Sequence, residues 1–387
     1  MPDGRVDVPV TPLPPCPFEG EPEPTTVAAG GEHTCAVESG RLYCWGSNDD
    51  GKLGLGRIGG TEPAPQEVMP GHAWVSVAGG WDHTCAIDVD GALWCWGRNA
   101  DGQLGVGDTD TRDVPTRVGM GASPWVQVAG GAQHTCAIRR GGFLHCWGRN
   151  NLGQLGAGAV NEVLAAPTRV EDAEMRWSTV AAGSGHTCAV TTAGDLFCFG
   201  DPTAGETGQP VRMDLYLLPL PVAGSACWRS AAGTIHSSCG VQGDGRIACW
   251  GQNQMGQLGR GFLGAPGPGV DGCECIVEPQ AIESEATFRS VDGGRFHACA
   301  IALDGGLWCW GRAQEAQVGF DAAGEFQPTP VAVPVAGRWI EVSAGGFHTC
   351  SRRDDGSLWC VGQNLRGQVG LGGASMRVGE LTRVVFR

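Results

Sequence analysis

Val77-Ala78-Gly79-Gly80-Trp81-Asp82-His83-Thr84-Cys85-Ala86-Ile87, continued by Leu93-Trp94-Cys95-Trp96-Gly97-Arg98-Asn99 and Gly102-Gln103-Leu104-Gly105, is the stretch whose reading decides the fold. Its apolar runs stop after four to six residues, too short for an amphipathic helix, and Asp90-Gly91 between them is a hairpin turn signal. The stretch recurs through the chain. Its first cysteine returns as Cys35, Cys85, Cys136, Cys188, Cys239, Cys299 and Cys350, in steps of 50, 51, 52, 51, 60 and 51 residues. Its second returns as Cys44, Cys95, Cys146, Cys198, Cys249, Cys309 and Cys360, ten residues further on in every copy except the first, where it is nine. Seven in-phase copies mark a repeat architecture, so domain counting from the length of 387 residues does not apply.

Other landmarks hold phase with the cysteines. An aromatic stands eleven residues before the first one in six copies: Trp74, Trp125, Trp177, Trp228, Phe288 and Trp339. A histidine stands two before it in six: His33, His83, His134, His186, His297 and His348; the fifth copy has Ser237 there and His236 one earlier. A Trp follows the second cysteine in five copies, with Phe199 and Val361 in the others. Each copy reads as three short strands, such as 125–129, 134–138 and 144–147, with a fourth before them, as in Pro167-Thr168-Arg169-Val170. Four strands in roughly 50 residues make one propeller blade. The fold class is therefore all-β, a seven-bladed β-propeller over 25–387, preceded by a Pro-rich acidic spacer at 1–24. The tail Leu381-Thr382-Arg383-Val384 matches Thr116-Arg117-Val118 and Thr168-Arg169-Val170, and the first copy starts near Thr25 with no strand before it. The C-terminal strand is thus expected to complete the first blade, close the ring and pair its open edges.

Across 25–387 the repeated unit resembles the regulator of chromosome condensation repeat. The resemblance implies a seven-bladed propeller, in a family that includes nucleotide exchange factors for small GTPases, chromatin binders and bacterial secreted propellers that inhibit β-lactamases. Gly205-Glu206-Thr207-Gly208 and Ala316-Gln317-Val318-Gly319 depart from the Gly-Gln-Leu-Gly signature. A cysteine pair in each blade and the lack of a basic arm point toward bacterial extracytoplasmic relatives and away from the nuclear branch.

Eighteen cysteines in even, regular spacing suggest disulfides and an oxidising compartment. If 89–91 form the hairpin loop, Cys85 faces Cys95, close enough to bond after a modest closure. Each such bridge would contribute on the order of 2–3 kcal/mol, less than additively. Reduced buried thiols are the alternative. Cysteines ten apart on facing strands do not make a zinc knuckle. Cys16, Cys227, Cys273 and Cys275 are left over. Cys273 and Cys275 are too close in sequence to bond readily, so Cys16 and Cys227 are expected among their partners, with a four-thiolate metal site as the other option.

The formal charge of −15, with no basic run, argues against nucleic acid. No stretch approaches 18 apolar residues, so no membrane span is expected. No catalytic or cofactor motif is legible. The histidines are too equivalent to form one catalytic constellation, and each is expected to bond neighbouring backbone and lock its turn. Specificity should sit where the copies differ, just before that histidine: Glu32, Trp81, Asp82, Gln133, Arg295, Phe296 and Phe347. The irregular segments 201–226 and 260–287 are a second candidate, with 260–269 extended and mobile.

These features describe a non-enzymatic, monomeric, cofactor-free module that binds an unknown protein partner through loops on one face. It is expected to be secreted, periplasmic or surface-anchored, the head 9–24 being a spacer from a lipid anchor or lost leader. A cytosolic regulator of a small GTPase is the alternative. Intact-mass analysis after alkylation without reductant is expected to show at least 14 of the 18 cysteines blocked; a predominantly unblocked chain would exclude the oxidising compartment.

Overall fold

The computed structural model describes residues 22–119, 123–170, 174–210, 214–224, 227–264 and 274–386. Within them, seven antiparallel four-stranded sheets form seven blades around a central channel. The second blade is typical: Trp74–Gly79, His83–Asp88, Leu93–Gly97 and Arg112–Arg117, paired in chain order from the channel outward.

The fourth strand of each blade follows the other three and does not precede them. Pro167 and Thr168 lie in Asn161–Arg169, which pairs with Phe143–Asn150 in its own blade. The first blade therefore already has a fourth strand, Thr61–Val68, and the C-terminal strand Arg377–Arg383 completes the seventh blade, not the first. The expected strand exchange is replaced by side-chain closure. The first blade carries Pro24 at the place of the inner aromatic, and the tail supplies a ring instead: Phe386 lies 6.1 Å from Trp45 and 5.2 Å from Tyr43. Those distances match Trp74–Trp96 at 6.3 Å and Trp125–Trp147 at 5.9 Å. Glu341 accepts from the backbone N–H of Thr26 and Val27, and Arg352 donates to Glu38 at 2.8 Å and to the Val37 carbonyl at 2.9 Å.

The expected hairpin register holds. Cys85 stands opposite Cys95, and the seven blade pairs are all disulfides with Cα–Cα distances of 4.0–4.2 Å. Among the described residues no cysteine is free; Cys227 and Cys275 are also disulfide-bonded, and Cys16 and Cys273 lie outside those residues. The core lies between blades. Cys85 and Cys95 pack on Trp125 and Trp147 of the third blade, and Cys239 and Cys249 on Phe288 and Trp310 of the sixth. One such cluster fills every interface, the last joining Cys350 and Cys360 to Tyr43 and Trp45.

A polar chain runs beside this core. The imidazoles bond side chains of the next blade, not their own turn backbone as expected. His33 Nε2 meets Thr84 Oγ1 at 2.9 Å, and Thr84 donates to the Lys52 carbonyl at 2.8 Å. His83 with Thr135, His134 with Thr187, His186 with Ser238, His297 with Thr349 and His348 with Thr34 repeat the bond at 2.7–2.9 Å. Each hydroxyl donates to a carbonyl of the previous blade's Gly-Gln-Leu-Gly loop, so Nε2 carries the imidazole hydrogen. The ring edge lies against a glycine. A Cβ on Gly131 would fall 2.4 Å from His134 Cε1. The fifth blade lacks the whole set together: Ser237 replaces the histidine, Thr234 the glycine, and Ala298 the hydroxyl it would meet in the sixth.

Burial lowers these imidazoles, His83 and His348 to about 4 and His134, His186 and His297 to about 3, with His33 well below its ordinary value. The unfolded chain takes up protons near pH 6.5 that the folded chain refuses. The stability that these imidazoles contribute is therefore complete above about pH 6.5 and lost as pH falls toward 4. Asp292, raised by burial to about 6, acts with the opposite sign, as do Glu206 and Glu341, but six imidazoles outweigh three carboxyls. The thermal midpoint is expected to drop steadily from pH 7 to 5 in a calorimetric series; a flat profile would contradict this reading. Gly131→Ala, which overpacks the His134 ring, is expected to cost about 1–3 kcal/mol in denaturant titrations.

Candidate functional site

The Gly-Gly-containing turns between the first and second strands converge on one end of the channel. Backbone bonds join these turns from blade to blade: Gly31 N–H to Trp81 O, Trp81 to Gly131, Ala132 to Gly183, Ser184 to Thr234, Arg295 to Gly345, and Gly346 to Gly30, at 2.9–3.3 Å. Among the described residues the interface between the fifth and sixth blades has no counterpart. The belt narrows this mouth to a cavity of about 90 Å³, while the opposite mouth opens to about 710 Å³. The residues just before each histidine position sit on the narrow face, fixed by the belt beneath them.

Four of the seven sequence-derived residues come together there. The Arg295 guanidinium carbon lies 5.1 Å from each of the ring centroids of Trp81, Phe296 and Phe347. These residues come from the sixth, second and seventh blades, so the group spans the channel mouth. All four side chains are half-buried. Such stacking supports a cation through the negative ring faces. Burial lowers the Arg295 guanidinium, helped by the like charge of Arg312.

The other three residues stand in local polar pairs around this centre. Asp82 accepts from the buried Lys52 Nζ at 2.6 Å. Gln133 donates to Asp101 at 3.1 Å and accepts from Arg149 at 2.7 Å. Glu32 lies 3.5 Å from Arg366. Two participants were missed from sequence. Arg312 stacks on Phe347 at 5.2 Å and is held by Glu315 at 2.7 and 2.9 Å. Lys52 stands where other copies carry Gln103 or Gln257, a substitution visible in the repeat itself.

The remaining candidates serve the scaffold. At the wide mouth, Asp292 accepts from the N–H of Ala344 at 2.9 Å and Glu341 holds the first blade, so both carboxylates join blades. The segments 201–226 and 260–287, expected to lie outside the repeat, contain fourth strands: Tyr216–Pro221 and Cys275–Ala281. Of the stretch 260–269 expected to be mobile, residues 265–269 fall outside the described residues. In five copies an asparagine locks the loop before the signature. Asn99 Oδ1 accepts from the Leu104 N–H at 3.0 Å, while its Nδ2 donates to the Asp108 carbonyl at 2.9 Å. Pro202 and Ala313 replace it in the two blades with altered signatures. Among the described residues no cluster of three metal-ligand side chains occurs, and no helix is long and apolar enough to cross a membrane.

The regulator of chromosome condensation (RCC1) repeat model matches residues 39–87, 90–138, 141–190, 244–301 and 304–351. A second model of the same description matches 25–52, 74–103, 125–154, 177–206, 288–317 and 339–368. The chain is 32% identical to the ultraviolet-B receptor UVR8 of Arabidopsis thaliana over 89% of its own length and 78% of the receptor's. It is 27% identical to the mouse regulator of chromosome condensation, covering 83% of this chain and 80% of that one. It is also 28% identical to the mouse E3 ubiquitin-protein ligase HERC2 over 91% of its own length but spans only 7% of that ligase. Among solved structures, Prp20p of Saccharomyces cerevisiae superposes with a TM-score of 0.76 at 21% identity, covering 94% of this chain and 86% of that one, a likeness of fold.

Proposed function

The chain belongs to the regulator of chromosome condensation repeat family, and from that premise we propose that it is a non-enzymatic binding module that holds a partner protein on its narrow face. One observation carries this reading. Trp81, Arg295, Phe296 and Phe347, the positions where the repeat is free to vary, gather into one half-buried aromatic and arginine group at the channel mouth. Large aromatics and arginine supply most of the energy at protein interfaces, because they bury much area with few rotamers. Glu32, Asp82 and Gln133 then form the polar rim, where charge steers the approach of the partner more than it holds it.

We further propose a secreted, periplasmic or surface-attached setting, monomeric, with 1–24 as spacer. The seven blade disulfides support it, since thiols in a reducing cytosol stay unpaired. A GTPase-regulating role in the cytosol draws on the likeness to the mouse regulator of chromosome condensation. Prp20p, of the same fold, has binding properties toward Gsp1p and histones. The disulfides weigh against transferring that setting to this chain.

The test is a Trp81→Ala/Phe296→Ala double variant. It is expected to keep the wild-type thermal midpoint and to bind a partner captured by the wild-type chain roughly 30-fold more weakly or worse. Full retention of binding by a folded double variant would rule out this face.

A further inference from the structure

We propose that Arg295 is the anchor of this face and that the partner brings it a carboxylate, so that the face takes an acidic protein segment. The inference rests on the protein-binding reading above and adds the chemistry of the partner. Three cations of the rim have a carboxylate partner, Arg312 with Glu315, Lys52 with Asp82 and Arg366 with Glu32, and Arg149 is held by Gln133 and Asn151. Among the described residues Arg295 has none: its Nε is buried without a hydrogen-bond partner, and the faces of three rings surround its guanidinium.

An aromatic cage of this kind in an empty state would suit a cationic ligand. Here the cage is filled by the chain's own guanidinium, which excludes that class. Nε lies buried, so the terminal Nη groups are the end of the guanidinium open to a ligand, and a carboxylate fits that planar fork with charge-assisted bonds. Phosphate oxygens would fit the same fork. A nucleic-acid strand, however, brings a continuous row of negative charge against a chain of formal charge −15, whereas a segment with one or two carboxylates does not. The backbone of Arg295 is pinned by its N–H bond to the Gly345 carbonyl at 3.1 Å, so the fork is presented in a fixed place.

The probe is the capped peptide Ala-Ala-Glu-Glu-Ala-Ala, titrated into nitrogen-15-labelled protein while the arginine Nε–H resonances are followed. The peptide is expected to shift the Arg295 resonance, and its Gln-Gln counterpart is not. Arg295→Gln is expected to weaken peptide binding roughly tenfold or more. Arg295→Lys, which keeps the charge and stays within the rings, is expected to retain part of it; this second variant covers the case in which Arg295→Gln does not fold. Equal binding of the Gln-Gln peptide, or unchanged binding by a folded Arg295→Gln, would overturn the inference. So would a ten-nucleotide oligothymidylate that binds more tightly with the same Arg295 dependence. If the peptide is indifferent to Arg295 while a captured partner is lost with the Trp81→Ala/Phe296→Ala variant, the carboxylate anchor fails and the binding face stands.

Discussion

The bond from an imidazole to the hydroxyl of the next blade, and from that hydroxyl back to a loop carbonyl, is the constraint that ties six of the seven blade interfaces. It holds one Thr or Ser side chain between two groups of the preceding blade, as His83 and the Gln103 carbonyl hold Thr135. Both bonds are buried, so the cost of breaking them includes leaving polar atoms without water. The geometry also dictates which residues may surround it. Glycine precedes each histidine by three positions because the ring edge occupies the space of a Cβ. Where the histidine is absent, at Ser237, the glycine becomes Thr234 and the receiving hydroxyl becomes Ala298. Three residues spread over two blades change together because they serve one interaction.

The same constraint shapes the narrow face. With the turn base fixed by histidine and by the backbone belt, the two residues between glycine and histidine are released from structural duty. Their side chains lie around a narrow mouth, so residues of distant blades such as Trp81 and Arg295 come within stacking distance. A scaffold that is rigid below and variable above places aromatic anchors without ordering a loop on binding, which reduces the entropic cost of association.

Closure is solved by side chains as much as by strands. The seventh blade keeps its own outer strand, and the residues beyond it deliver Phe386 to the aromatic site that the first blade lacks. Blade disulfides then face these aromatics across each interface, so the covalent link within one sheet forms the wall against which the next sheet packs. Burial beside these walls lowers the imidazoles, so the neutral ring is the form the fold holds.

The repeat period, the blade number, the seven cysteine pairs within blades and the positions that lie on the narrow face were legible in the sequence. Each depends on local spacing: strands of fixed length, a two-sided hairpin, and copies that can be laid over one another. Ownership of the fourth strand was not legible, because a strand between two blades matches either neighbour by pattern, and only hydrogen-bond register assigns it. The role of the histidines was likewise hidden, since their partners lie 51–53 residues away in five copies and 314 away for His348, and meet them only when blades stack. Which variable residues touch was the last thing decided. Trp81 and Arg295 are more than 200 positions apart, and ring curvature alone, a property of the closed assembly, brings them together.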